Sequence, residues 1–432
     1  DGEYQTFKAK NGAYVREHFF NTPELKALVA DWTDDEIWQL NRGGHDLFKI
    51  FAAYDRAIKH KGQPTLILAK TIKGFGMGDA GEAMNISHQA KKMDHEQIKR
   101  FRDRFSLPVP DDQLDKLPFL TFPDGSPEQA YLREHRMALG GFLPQRRRKA
   151  AQALAVPALS TFDSLLKASG SGRELSTTMA IVRIMNMLLK DKQVGQHVVP
   201  IVPDESRTFG MEGMFRAVGI WNQQGQNYVP EDHDQLMFYK ESKTGQVLQE
   251  GINEAGAMSD WIAAATSYSV HNVQTIPFYI CYSMFGLQRT LDLVWAAGDQ
   301  RCRGFLVGGT AGRTTLNGEG LQHEDGHSLI LSNLVPNCVS YDPSFQYEVA
   351  VIVQDGLRRM YQEQEDIFYY ITVMNENYEH PEMPAGAEQD ILKGMYQFRK
   401  GAAAEGKKAA PRVQLLGSGT IFREVIAAAE LL

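Results

Sequence analysis

The chain has 432 residues, of which 43% are apolar and 23% are charged, and its formal net charge is −7. These values are typical of a globular protein with room for two to three domains. The mild negative charge argues against nucleic acid as the main partner, because phosphate binding needs a concentrated basic face. No run of 18 apolar residues occurs, so we expect no membrane-spanning segment.

The three cysteines, Cys281, Cys302 and Cys338, are widely spaced and include no CxxC pair. We therefore expect buried free thiols and a reducing, cytoplasmic setting. The sequence does not begin with Met, and it stops at Leu432 inside a helical pattern. We expect that both ends are truncated.

The first 142 residues open irregularly and then give a helical stretch around Glu24–Ala30. A helical pattern covers Leu47–Lys61, and the apolar run Pro64–Lys70 predicts a buried parallel strand. That strand leads into the glycine-rich loop Thr71–Gly78. Further on, His95–Phe105 predicts a helix with Asp94 as its N-cap.

Residues 143–175 are rich in Pro, Arg, Ala, Ser and Gly and predict a linker. The basic cluster Arg146–Lys149 within it is better explained by a solvated linker than by a nucleic-acid patch. After Lys400–Ala410, the run Arg412–Leu416 predicts a strand, followed by a helix from Thr420. We expect a further α/β domain to begin there.

Between these two segments, from Ser176 onward, strand and helix patterns alternate. Such alternation predicts an α/β fold in which a doubly wound parallel sheet carries helices on both faces. Ligands of sheets of this kind bind at the carboxyl ends of the strands. The predicted elements are the helix Thr177–Lys190, the strands His197–Pro203, Thr275–Tyr282, Cys302–Val307, Cys338–Tyr341 and Ile367–Val373, and a helix that starts at Asp342-Pro343.

Lys73 and His88 are the first residues that could carry chemistry. Glycines after a parallel strand let the backbone approach an anion, and a lysine adds charge. The GxGxG pattern has neither the Walker order nor the spacing of a dinucleotide fingerprint. A flexible surface loop with a solvated lysine and histidine explains these residues alone equally well.

Three acids form the next candidates. Asp204 and Glu205 follow the predicted strand that ends at Pro203, where adjacent acids often cap a helix or face water. Glu254 lies among Gly, Ile and Ala, where a desolvated carboxylate could act in proton transfer. An exposed acid at the start of a helix is the alternative for Glu254.

The segment Gly308–His327 combines a predicted strand end with a long glycine-rich loop and two histidines. Long loops of this kind are usually functional or disordered. The letters His323-Glu-Asp-Gly-His327 are similar to the zinc-protease HExxH motif, but that motif requires a helix. Because Gly320 and Gly326 flank and interrupt this stretch, we do not expect a zinc-protease site here.

Taken together, these blocks resemble the homodimeric E1 component of the bacterial pyruvate dehydrogenase complex, a family of transketolase-like thiamine diphosphate enzymes. The resemblance runs through essentially all 432 residues. It rests on the strings Ala13-Tyr-Val-Arg-Glu-His-Phe-Phe20, Leu40-Asn-Arg-Gly-Gly-His-Asp46, Thr71-Ile-Lys-Gly-Phe-Gly-Met-Gly78, Asp204-Glu-Ser-Arg-Thr-Phe-Gly-Met-Glu-Gly213, Gln249-Glu-Gly-Ile-Asn-Glu254, Tyr282-Ser-Met-Phe-Gly286 and Leu316–His327.

The resemblance implies thiamine-diphosphate-binding (transketolase-like) doubly wound parallel sheets in tandem domains. Residues 1–142 match the C-terminal part of the diphosphate-binding domain, and residues 143–175 match a linker. Residues 176–400 match the pyrimidine-binding domain, and residues 411–432 match the start of the C-terminal domain.

The resemblance also implies residues that hold the cofactor. Glu254 matches the glutamate that hydrogen-bonds the aminopyrimidine ring and so promotes loss of the thiazolium C2 proton. Ile252 resembles the apolar residue that keeps the cofactor bent. Tyr282 and Phe285 resemble the aromatic wall around the pyrimidine, and Lys73 a cationic residue beside the reacting centre.

Other residues match positions that act on the substrate. His88 matches a histidine on a mobile loop that is associated with acetyl transfer, and His323 one near the substrate carboxylate. Asp204 and Glu205 resemble an acidic pair near the reacting centre.

The activity implied is oxidative decarboxylation of pyruvate and reductive acetylation of the lipoyl domain of dihydrolipoamide acetyltransferase (E2). The family acts as a homodimer with thiamine diphosphate at the subunit interface. Its Mg2+ motif, Gly-Asp-Gly followed by Asn, is not present here, so we assign no metal ligand and expect the Mg2+ and E2-docking residues before Asp1. Another transketolase-like enzyme (a transketolase or a 2-oxoglutarate dehydrogenase E1) and an inactive fragment or scaffold remain alternatives.

Overall fold

A computed structural model describes most of the chain: residues 2–40, 43–143, 146–204, 206–231, 233–234, 239–312, 320–401 and 412–432. The chain forms two compact units, Asp1–His135 and Arg136–Leu432, called the first and the second unit below. Among the residues so described, no helix is long and apolar enough to cross a membrane.

Short helices make up the first unit. Several begin at a side chain that accepts a hydrogen bond from a free backbone N–H of the first turn, as Asn11, Thr22, Thr33, Asp46 and Asp94 do. The helices are α1 (Gly2–Ala9), α2 (Gly12–His18), α3 (Pro23–Leu28), α4 (Asp34–Trp38), α5 (Leu47–Lys59), α6 (His95–Arg104) and α7 (Pro127–Ala138), the last of which ends beyond the unit boundary.

The prediction of a buried strand at Pro64–Lys70 is wrong. Over its described residues the first unit has no strand, and Leu66 and Leu68 are 84% and 87% exposed. A strand needs a neighbour that pairs with its backbone groups, and an apolar run cannot supply that neighbour itself. The predicted helix at Leu47–Lys61 is confirmed as α5, and the predicted N-cap Asp94 is confirmed at α6.

A six-stranded parallel sheet forms the centre of the second unit, with the strand order β4-β1-β5-β6-β8-β7. Two further strands, β2 and β3, form a separate parallel pair. The strands are β1 (Val198–Val202), β2 (Ile220–Trp221), β3 (Glu241–Ser242), β4 (Leu248–Gln249), β5 (Ile276–Tyr282), β6 (Phe305–Gly309), β7 (Cys338–Tyr341) and β8 (Phe368–Thr372).

Helices pack around this sheet, α9 against α15 and α11 against α13. Between them the central strands are buried, and the rings of Phe278 and Phe305 stack at 4.6 Å. The helices are α8 (Asp163–Leu166), α9 (Thr177–Lys190), α10 (Glu212–Ala217), α11 (Glu254–Ala265), α12 (Ser267–His271), α13 (Ser283–Asp299), α14 (Ser328–Ser332), α15 (Gln346–Leu357, continued by a π-helical turn Arg358–Gln362), α16 (Glu388–Leu392) and α17 (Phe422–Leu431).

The predicted helix Thr177–Lys190 and the predicted strand Cys338–Tyr341 are confirmed with the same bounds. The helix predicted from Asp342 begins only at Gln346, because the Asp342 carboxylate accepts hydrogen bonds from the side chains of Thr372 and Ser418 and caps no helix. The strand predicted at Arg412–Leu416 is not formed.

The segment 146–175 packs into the second unit for part of its length. Phe162 and Leu165 are fully buried, and the backbone of Leu175 pairs with that of Tyr378. This segment is rich in small residues, yet part of it belongs to the core of the second unit.

Candidate active site

Four neighbouring strands of the sheet, β4, β1, β5 and β6, have predicted site residues at or after their carboxyl ends. Asp204 follows β1, Glu254 follows β4, Tyr282 is the last residue of β5, and His323 lies in the loop after β6. In a parallel sheet these ends meet at one edge, which is where open α/β sheets bind ligands. The topology therefore gathers residues that are more than 100 positions apart in the sequence.

Glu254 is the first residue of α11, and it is only 9% exposed. The positive end of the helix dipole favours a carboxylate at that position. Arg289 of α13 places its Nη1 2.5 Å from Oε1 of Glu254, and its guanidinium lies 4.4 Å from the ring centre of Phe285. Arg289 thus links the carboxylate of Glu254 to the aromatic ring of Phe285.

Tyr282, Phe285 and His323 form a cluster of three rings. The His323 ring meets Tyr282 at 4.8 Å and Phe285 at 5.0 Å, in both cases edge to face. The Nδ1 atom of His323 is buried, and it has no hydrogen-bond partner among the described residues. Flat aromatic surfaces beside a carboxylate suit a planar heteroaromatic ligand that has polar atoms at its edge.

Ile252 and Asp204 lie at the rim of this edge. Ile252 is an apolar side chain that is 74% exposed. Asp204 is exposed and precedes Glu205, which lies outside the described residues. The chain after β4 is tied to the end of β1 because the N–H of Gly251 donates to the carbonyl of Pro203 at 2.8 Å.

The first unit brings Lys73 and His88 together. The Nζ atom of Lys73 lies 3.1 Å from Nδ1 of His88, and both side chains are exposed. Between them, Gly74 and Gly76 have positive φ angles of 71° and 93°, which L side chains rarely adopt. The glycine-rich pattern is therefore explained by the turn that joins the lysine to the histidine.

Glu82 holds this turn together. Its carboxylate accepts hydrogen bonds from the N–H groups of Gly76 (3.1 Å) and Gly78 (3.2 Å) and from Nη1 of Arg104 (2.5 Å). Burial raises the pKa of Glu82, but the hydrogen bonds from Arg104 and from the two N–H groups outweigh burial, so the pKa lies below its ordinary value. The loop thus depends on one ionised, nearly buried carboxylate.

Sequence analysis did not single out Arg289 or Glu82. Arg289 stands four positions after Phe285, and this spacing places the two side chains on one face of a helix. No comparable signal exists for Glu82, because two of its partners are backbone N–H groups and the third, Arg104, stands 22 positions away in the sequence.

No site for a metal ion is visible in the parts of the chain that the structure describes. They contain no group of three or more His, Cys, Asp or Glu side chains that could hold one. The zinc-protease motif suggested by the letters of His323 to His327 is absent as a helix, since only a short 3-10 turn, Leu321–His323, is formed there.

The family model of the pyruvate dehydrogenase E1 component middle domain matches residues 154–381, more than half of the chain. The chain belongs to this family. Similar proteins named pyruvate dehydrogenase E1 component occur in Cupriavidus necator (76% identical), Pseudomonas aeruginosa (62%) and Escherichia coli (58%). Each comparison covers all of this chain and 48% of the relative, so the chain spans about half the length of the curated relatives it matches.

Solved structures with a similar fold are transketolases. The enzyme from Campylobacter jejuni matches with a TM-score of 0.51 and 17% identity over 79% of this chain and 47% of its own. The enzyme from Leishmania mexicana matches with a TM-score of 0.53 and 16% identity over 82% of this chain and 49% of its own. At such identity the likeness concerns the fold alone, and together with the parallel sheet it confirms the predicted transketolase-like α/β class.

Proposed function

We propose that this chain is the central part of a thiamine-diphosphate-dependent pyruvate dehydrogenase (acetyl-transferring) E1 component. Such an enzyme decarboxylates pyruvate oxidatively and acetylates the lipoyl domain of dihydrolipoamide acetyltransferase (E2). The observation that carries the proposal is the buried carboxylate of Glu254 beside the ring cluster of Tyr282, Phe285 and His323, in a chain of this family.

The residues present fit the pyrimidine half of thiamine diphosphate. Glu254 would hydrogen-bond the ring edge, and exposed Ile252 would support the bent cofactor. Tyr282 and Phe285, whose rings stand at 87° to each other, would form an aromatic wall around the pyrimidine. When bound, thiamine diphosphate supplies the electron sink for loss of CO₂. The described residues contain no group of three or more His, Cys, Asp or Glu side chains that could hold Mg2+, and we assign no ligand of Mg2+ or of the diphosphate among them.

Glu254 would control a proton at the cofactor ring. A helix N-terminus and the Arg289 guanidinium surround its carboxylate, and both favour negative charge. His323, whose buried Nδ1 has no hydrogen-bond partner among the residues that the structure describes, is the group we assign to the substrate carboxylate. Asp204 and Glu205 would act on protons near the reacting centre.

Lys73 and His88 form a separate pair in the first unit. We propose that Lys73 contributes positive charge beside the reacting centre and that His88 serves acetyl transfer to the lipoyl group. In their 3.1 Å contact the lysine ammonium donates to Nδ1 of the imidazole, and we assign Nε2 as the atom that meets the partner.

We propose the same organisation for the whole enzyme as for its family. Residues 1–142 belong to the diphosphate-binding domain, 176–400 to the pyrimidine-binding domain after the segment 143–175, and 411–432 to the C-terminal domain. The enzyme would be a cytoplasmic homodimer with the cofactor at the subunit interface.

Substrate choice tests the proposal. The whole enzyme, supplied with thiamine diphosphate and Mg2+, should reduce an artificial electron acceptor with pyruvate but not with 2-oxoglutarate or sugar phosphates. Turnover of 2-oxoglutarate alone would indicate the E1 component of another 2-oxo acid dehydrogenase, and turnover of sugar phosphates would indicate a transketolase. No turnover with any of them would indicate a scaffold.

The two half-reactions test the role of His88. His88→Ala should leave pyruvate oxidation by the artificial acceptor near the wild-type rate and should lower acetylation of the E2 lipoyl domain by about 10²–10⁴-fold. His60→Ala, at an exposed histidine of the same unit, is the matched control and should change neither rate. Equal losses in both half-reactions would reject this role for His88.

A further inference from the structure

Asp325 is a buried acid between the two histidines of the loop after β6. It is 4% exposed, and it stands two positions from His323 and two from His327. Its Oδ1 atom accepts the N–H groups of His327 (3.0 Å) and Ser328 (2.9 Å), and its Oδ2 atom accepts the hydroxyl of Ser328. An ionised acid that receives several donors in a buried place forms strong, charge-assisted hydrogen bonds.

These hydrogen bonds fix the turn at the start of α14. That helix is itself held in place, because Ser332 shares a hydrogen bond of 2.7 Å with Ser340 of β7 and because α14 packs against α13. On the other side, the N–H of Asp325 donates to the carbonyl of Gly312, just after β6, at 3.1 Å. Asp325 therefore joins the histidine turn to two rigid parts of the second unit.

His323 has few contacts of its own that could fix its ring. It packs edge to face against Tyr282 and Phe285, and its Nδ1 atom has no partner within the described residues. Ring packing alone permits sliding and rotation, whereas hydrogen bonds are directional. The backbone of the turn must then set where the imidazole lies.

We infer that Asp325 is a positioning residue that holds His323 against the aromatic cluster in the geometry needed for substrate. The role of His323 toward substrate rests on the proposed function. The coupling of Asp325 to His323 does not, because it depends only on contacts within this chain. Asp325 does not touch the ring of His323 and acts through the turn. The backbone N–H of His327 donates to Asp325 and so helps to fix the same turn.

Chemical labelling tests the coupling without cofactor or substrate. In the whole enzyme, Asp325→Asn should raise the rate at which diethyl pyrocarbonate modifies His323 by about 10-fold, because the turn opens more often. Ser328→Ala, which removes one donor, should raise it by less. Asp299→Asn, at an exposed acid of α13, should not change it, and labelling of buried His380 should stay constant in every variant.

A double-mutant cycle tests whether the effect on catalysis passes through His323. Asp325→Asn should lower kcat for pyruvate by about 10- to 100-fold in the wild-type background and have almost no further effect in a His323→Ala background. Equal effects in the two backgrounds, or unchanged labelling of His323, would overturn the inference. If the enzyme did not use pyruvate, the labelling result would still decide the coupling, so the two failures can be told apart.

Discussion

The two units differ in what holds their predicted catalytic residues. In the second unit, Glu254, Tyr282 and His323 stand at the edge of a parallel sheet whose strands β5, β6 and β8 are buried at every position except Tyr282. In the first unit, Lys73 and His88 stand on a turn that is held by the carboxylate of Glu82. The residues of the second unit are held mainly by the packed sheet, together with the hydrogen bonds of Asp325 at the His323 turn, whereas those of the first unit are held by directional polar contacts. We therefore expect the two groups to respond to different substitutions and to different changes of pH.

The largest effect on stability should come from the sheet. Phe305 is fully buried and stacks on Phe278, so Phe305→Ala should lower the free energy of unfolding of the second unit by about 3–5 kcal/mol. Leu66→Ala, at an exposed leucine of the first unit, is the matched control and should change it by less than about 0.5 kcal/mol. Denaturant unfolding followed by circular dichroism measures both. Similar losses for both variants would contradict the contrast.

The second largest effect concerns the dependence of stability on pH, which should have opposite signs for Glu348 in the second unit and Glu82 in the first. In the second unit, burial raises the pKa of Glu348 from 4.5 to about 7, although hydrogen bonds from Tyr396 and Ser344 oppose the rise. Between those two values the unfolded chain releases a proton that the folded chain keeps, so stability falls as pH rises. The fall over this window amounts to about 3 kcal/mol.

Glu348→Gln removes this titration and imitates the protonated acid. Unfolding measured from pH 4 to pH 8 should show a flatter dependence for the variant than for the wild type. Glu382→Gln, at an exposed acid of the same unit, is the control and should keep the wild-type slope. A wild-type slope in Glu348→Gln would show that Glu348 does not titrate in this range.

The smallest effect on stability should come from Glu82, and it should be confined to the first unit. The pKa of Glu82 lies below its ordinary value of 4.5, so its contribution to stability is present above that pH and is lost as the pH falls through the lowered pKa. Glu82→Gln should cost about 1–2 kcal/mol, since its partner Arg104 is partly exposed and screened by water. Hydrogen exchange at pH 7 should speed up over residues 73–90 and stay unchanged over β5 and β6.

The sequence predicted the second unit better than the first. Strands such as Ile276–Tyr282 carry apolar and aromatic side chains throughout because both faces of the sheet are covered, and this pattern can be recognised without knowing their neighbours. The run Pro64–Lys70 has the same pattern but pairs with no strand in the described chain. The sequence pattern shows only that a segment is apolar. Whether the segment forms a strand depends on a neighbouring strand that pairs with its backbone.

The candidate site could be predicted only in part. Glu254, His88 and His323 were found from ordered motifs, whereas the residues that hold them in place were not. Asp325 and Glu82 bind mostly backbone N–H groups, which every sequence contains, so no pattern of side chains marks them. Such residues become visible only when the turns that they close are seen in three dimensions.

The proton role of Glu254 is the central claim, and a single variant tests it most directly. Glu254→Gln keeps the size of the side chain and removes its charge. In the whole enzyme, saturated with thiamine diphosphate and Mg2+, we predict that kcat for pyruvate falls by about 10²–10⁴-fold while the unfolding midpoint stays close to that of the wild type. Wild-type turnover of pyruvate by the folded, cofactor-loaded variant would contradict the account.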